Sequence, residues 1–107
     1  MAKRVLLSEQ FGINIFTRNS ISTFFDILEN VKENEIELDF ANVKFISRSC
    51  ADEYIKQKEK SKKKIIEVNM SKNICNMFKI VKKQYENAGI TISFDICNLD
   101  KYRLIEL

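Results

Sequence analysis

The sequence predicts a single α/β domain with a mixed, mostly parallel sheet, an antiparallel hairpin at its start and the element order ββαβαβαβ. Three observations lead there. Ile36, Leu38 and Phe40 alternate with Glu37 and Asp39, and Ile90, Ile92, Phe94 and Ile96 alternate with Thr91, Ser93 and Asp95. That is the period of two expected of strands with one apolar face. Ile21, Phe24, Phe25, Leu28 and Val31, and again Ile74, Met77, Phe78, Val81, Tyr85 and Ala88, recur at intervals of three and four, the stripe of a helix lying on a core. Strands separated by helices are joined by crossovers and run parallel, and 107 residues that are 45% hydrophobic make one domain, residues 1–107, around one core.

Taken in order, Val5, Leu6 and Leu7 form a short apolar run, Ser8-Glu9-Gln10 and Gly12 interrupt it, and Ile13-Asn14-Ile15 alternates again, which reads as two strands joined by a tight turn near Gly12. Asn19 or Ser20 is expected to cap the first helix, and Lys32-Glu33-Asn34-Glu35 to end it. After the strand at 36–40, Ala41-Asn42 turns the chain and Val43, Phe45 and Ile46 return it to the core. Ser47-Arg48-Ser49 then precede Cys50, Ala51, Tyr54 and Ile55 at helical spacing, which makes Ser49 the expected N-cap. Ile65, Ile66, Val68 and Met70 form another run of strand length, Ser71 caps the second striped helix, and Gly89 supplies the left-handed residue that ends it. The polar alternate positions at 36–40 and 90–96 imply one sheet face packed by helices and the other thinly covered or open to a partner. The tail from 98 to 107 fits strand, helix or frayed chain.

Composition removes most chemistry. The chain has no histidine, so the commonest general base, the usual Ser–His and Cys–His pairs and most zinc sites cannot be built. Only Gly12 and Gly89 occur, so no glycine-rich phosphate loop can be written. Asp52-Glu53 falls near the start of a helix, where the dipole favours acids without any catalytic role. No enzyme, cofactor or metal is expected. Cys50, Cys75 and Cys97 are odd in number and sit in apolar patterns, which fits reduced core thiols of a cytoplasmic protein. The N-terminal apolar run spans only three residues and no segment reaches the length of a membrane span, so neither a signal peptide nor a membrane partner is expected. The net charge is only +3; residues 1–47 carry five basic and seven acidic residues, and the basic surplus lies beyond them, much of it in KQKEKSKKK at 56–64.

The run LDFANVKFISRSCADE at 38–53 resembles the prokaryotic STAS-like domains, in which LDF-x-x-V-x-F-I-x-x-S-x-A-D-E follows a capped helix, and it is more distantly similar to the anti-sigma factor antagonists. The resemblance covers Thr17 to Lys83 and is sharpest at 38–53. It implies a STAS-like fold and a regulatory, non-enzymatic role in protein–protein signalling. In the antagonists this segment holds an Asp-Ser-Ser-Gly core whose second serine is phosphorylated by a partner kinase that is also the anti-sigma factor. Ser49 matches that serine, while Ser47, Arg48 and Cys50 stand where the antagonists carry aspartate, the first serine and glycine. The resemblance therefore makes Ser49 the phosphoacceptor candidate, with Ser47 as the alternative. It makes an ATP-binding kinase-like anti-sigma factor, or another regulatory protein, the expected partner. A serine at a helix N-terminus would hold a phosphate against free backbone N–H groups, with Arg48 alongside as counter-charge. The plainer alternative is that Ser49 simply caps the helix, with Asp52 completing an exchange like that of a capping box.

Two classes of function follow. In the first, the loop at 41–49 and the helix after it dock a regulatory partner, with Asn42, Lys44, Arg48, Asp52 and Glu53 as contact candidates. In the second, a nucleic-acid binder, Lys56, Lys58, Lys60, Lys62, Lys63 and Lys64 supply phosphate contacts. No aromatic residue interleaves with that run, so base stacking is unsupported and a solvated basic helix end is the favoured account.

Overall fold

The computed structural model describes residues 3–12, 14–15 and 17–92. Their elements are β1 (Lys3–Leu6), α1 (Leu7–Phe11), β2 (Asn14–Ile15), α2 (Arg18–Glu29), β3 (Glu35–Asp39), β4 (Phe45–Ile46), α3 (Arg48–Lys60), β5 (Lys64–Val68) and α4 (Lys72–Asn87). This is an α/β domain. Its three-stranded sheet has the order β1-β3-β5, and β2 and β4 form a separate two-stranded sheet. Every pairing among the described residues is parallel, with Val5 opposite Leu38 and Ile36 opposite Ile65 in the larger sheet.

The alternation of β3 decides which face is which. Ile36 and Leu38, with Val5 and Ile65 beside them in register, are buried. Glu67, opposite Leu38 on that same face, accepts hydrogen bonds from Tyr54 and Lys58 of α3, so the helices cover this side. Arg4, Glu37 and Asp39 share the opposite face, where Arg4 bridges both carboxylates across the β1–β3 pair. One packed and one polar face agree with the reading of the sequence.

An aromatic cluster ties the layers together. Tyr54 sits edge-on to Phe25 at 5.3 Å and to Phe40 at 6.1 Å, and 5.1 Å from Phe78. It thereby joins α2, α3, α4 and the end of β3 through contacts that aromatic rings favour. Cys50 on α3 is a free, fully buried thiol. Cys75 is disulfide-bonded, a departure from the expectation of reduced thiols, because apolar spacing reports burial and not pairing.

The N-terminal hairpin is overturned. Leu7–Phe11 form a five-residue helix that buries Leu7, and Gly12 at φ +80° leads the chain out of it, so it does not reverse on itself. β1 instead lies against β3, which buries Val5 on an apolar neighbour where an isolated ribbon would be marginal. Helix starts shift too. Thr17, not Asn19 or Ser20, caps α2 by accepting the Ser20 N–H at 3.3 Å, and α2 ends earlier than expected, at Glu29. Ser71 caps α4 as expected. Gly89 at φ +80° closes α4, with its N–H donating to Glu86 and that of Ile90 to Tyr85, the paired bonds of a Schellman ending. Residues 90–92 do not form the strand expected at 90–96; the remainder of that segment and the tail at 98–107 lie outside the described residues. No helix among the described residues is long and apolar enough to cross a membrane.

Candidate functional site

The junction between β3 and α3 is built from its two anchored ends. Asp39 closes β3 with its carboxylate buried, accepting the Ala41 N–H at 2.8 Å, the Asn69 side-chain amide at 3.0 Å and the Arg4 guanidinium at 2.5 Å. The Asn69 bond, joined by those from Ala41 and Arg4, overcomes burial and holds the Asp39 carboxyl below the usual aspartate range. Asn42 then adopts the left-handed conformation at φ +66°, and the Val43 N–H returns to the Phe40 carbonyl. Asparagine tolerates that backbone better than most residues. The turn sends Val43 into the core and leaves Asn42 and Lys44 exposed.

Phe45 was expected in the core, and the structure corrects this: it is 42% exposed while Ile46 is buried. The reason is the period of two within β4, which places adjacent side chains on opposite sides. Ser47 follows and caps α3 by accepting the Cys50 N–H at 3.2 Å. The expected cap, Ser49, lies inside the helix, half-buried, its hydroxyl 3.2 Å from that of Ser47. With Ser47 as cap the third helical position is Cys50, so Asp52 completes no capping box. Arg48 is exposed.

Asp52 and Glu53 face a different environment from the one expected of them. Arg18 at the start of α2 donates to Asp52 at 2.9 Å and lies 3.5 Å from Glu53, Lys56 approaches Asp52 at 3.2 Å, and the Tyr85 hydroxyl of α4 donates to the other Asp52 oxygen. Gln57 donates to Glu53 at 2.7 Å. Burial pushes the Asp52 carboxyl up, but the bonds from Tyr85, Arg18 and Lys56 outweigh it, and the group ends below its usual range. Burial and then the Asp52 bond push the Tyr85 phenol well above the tyrosine range. Asp52 thus ties α2, α3 and α4 together, while Glu53 is engaged with Arg18 of α2 and Gln57 of its own helix. Nothing in the sequence marks Arg18 and Tyr85 as site residues: the spacing of α4 puts Tyr85 on its apolar stripe, and no local signal announces a bond across 33 residues.

The basic run divides in the same way. Lys56 is engaged with Asp52. Lys58, with its side chain only 9% exposed, pairs with Glu67 at 2.8 Å. Lys63 donates to the carbonyls of Val31 and Glu33 at 2.7 and 2.8 Å, fastening the turn after α2. Lys60, Lys62 and Lys64 are exposed; Lys60 ends α3, about 18 Å from Arg48 along the helix at 1.5 Å per residue, and Lys62 and Lys64 follow it into β5.

Chemically, the junction offers two hydroxyls, two exposed cations and an exposed aromatic ring. The described residues contain no group of three or more His, Cys, Asp or Glu that could hold a metal ion. Set against known proteins, the chain matches no protein-family model, no curated protein and no solved structure.

Proposed function

We propose that this chain is a STAS-like, non-enzymatic interaction module of partner-switching type, and that the β3–α3 junction docks a regulatory protein. The resemblance of 38–53 names an ATP-binding kinase-like anti-sigma factor as the partner class. The observation that carries the reading is the contrast at the junction. Phe45 is 42% exposed beside exposed Lys44 and Arg48, whereas the acids one turn further on are already bound within the fold. Ser49 is the phosphoacceptor in this reading, because Ser47 Oγ does the capping and Ser49 is not needed for it. A phosphate there would add charge to a surface flanked by Arg48.

The test compares partner capture from the protein's own cell by the parent, Ser49→Asp, Ser49→Ala and Phe45→Ser. Docking requires that Phe45→Ser lose the partner while staying folded; retention of the same partner by that variant sinks the reading. A switch requires that Ser49→Asp alone change capture and that Ser49 carry phosphate in mass spectra of the native protein. The nucleic-acid alternative rests on Lys60, Lys62 and Lys64, and a gel-shift series without retention at low salt removes it.

A further inference from the structure

We infer that the partner surface which meets this junction is acidic around an apolar socket, an inference that rests on the docking reading above. Phe45 supplies the apolar anchor, and large aromatic side chains are the residues that carry binding energy when seated in a partner's pocket. Lys44 precedes it directly and Arg48, the first residue of α3, follows three residues on, both exposed. Among the described residues neither is held in an ion pair or hydrogen bond, in contrast to Arg4, Arg18, Lys56, Lys58 and Lys63. The acids nearest along the chain cannot neutralise them, since Asp39 is taken by Arg4 and Asn69, and Asp52 and Glu53 by Arg18, Lys56, Tyr85 and Gln57. The junction therefore presents two positive charges without an ion-pair partner among the described residues, one before and one after the exposed ring in the chain. Carboxylates bracketing an apolar pocket complement that pattern, speed encounter and exclude basic partners. A protein surface fits better than the nucleic acid that the basic run at 56–64 would bind, because the exposed residues of that run that hold no ion pair among the described residues, Lys60, Lys62 and Lys64, stand at and beyond the far end of α3 and do not continue these two charges into one stripe along it.

The experiment pans a random peptide library against the immobilised full chain, with Phe45→Ser and the charge-reversed pair Lys44→Glu, Arg48→Glu as comparisons, all three checked for matching circular dichroism. The expected peptides carry Asp or Glu beside an aromatic or aliphatic residue. They bind Phe45→Ser and the reversed pair at least about tenfold more weakly than the parent, weaken as salt rises, and are replaced by Lys- or Arg-rich peptides when the reversed pair is panned. Neutral or basic peptides that still depend on Phe45 overturn the acidic partner and leave the docking reading standing. Peptides indifferent to Phe45→Ser, or none enriched, overturn both. Binding of single-stranded oligothymidylate that needs Lys44 and Arg48, with no acidic peptide enriched, overturns the inference in favour of a nucleic acid.

Discussion

The hydroxyls of Ser47 and Ser49 stand 3.2 Å apart, yet only Ser47 Oγ accepts the N–H of Cys50 and so closes the first turn of α3. Two serines separated by one residue thus differ in role: Ser47 caps the helix, and Ser49 lies half-buried within its first turn.

Ser47→Ala is expected to destabilise the fold by about 1 kcal/mol, the usual cost of losing a side-chain cap. Ser49→Ala, inside the first turn, should stay within about 0.5 kcal/mol of the parent. Urea midpoints of the two variants check this, and the opposite ranking would return the cap to Ser49.

Phe78→Ala and Phe24→Ala each remove a ring from the inward stripe of a helix and should cost about 3–5 kcal/mol. Phe78 is fully buried against Phe40 and Tyr54, while Phe24 packs against Phe11 and Phe25 nearer the surface. The loss should be larger at Phe78, and calorimetric or denaturant unfolding of both variants would show it.

Lys58 and Glu67, each 9% exposed at the side chain, form a largely buried pair joined by the Tyr54 hydroxyl at 2.5 Å from Glu67. Lys58→Met strands a buried carboxylate and should cost about 3–5 kcal/mol, whereas removing both charges in Lys58→Met with Glu67→Gln should cost less than the single change. A double-mutant cycle by chemical denaturation measures the difference; a double variant weaker than Lys58→Met contradicts the assignment.

Stability should fall on acidification through Asp39. Its carboxyl is held below the usual aspartate range, first by Asn69 and then, against burial, by Ala41 and Arg4, so the folded state binds a proton less readily than the unfolded chain. The contribution is present above about pH 4 and is lost as the pH falls through the lower folded value. Asp39→Asn removes this titration, and its urea midpoint should depend less steeply on pH below about 4 than that of the parent.

Periodicity and caps made much of this protein legible in its sequence. The alternation at 36–40 and the stripes of α2 and α4 are local signals, and the side chains that carry them, Ile36, Leu38, Phe25, Leu28, Ile74 and Phe78, are buried as their spacing demands. Ser71 and Gly89 likewise act within a few residues of themselves. Tertiary structure decided the rest, because those outcomes depend on residues far apart in the chain. Whether Val5 joined a hairpin or a parallel strand was set by β3, with its apolar face more than 30 residues on. Which serine capped α3 was set by where the chain could leave β4, since both serines suit the position by type. Asp52 and Glu53 looked free for a partner on the first turns of a helix, and Arg18 and Tyr85, arriving from two other helices, bound Asp52 while Arg18 also approached Glu53. Phe45 was left at the surface because the two residues of β4 point opposite ways and the core took Ile46.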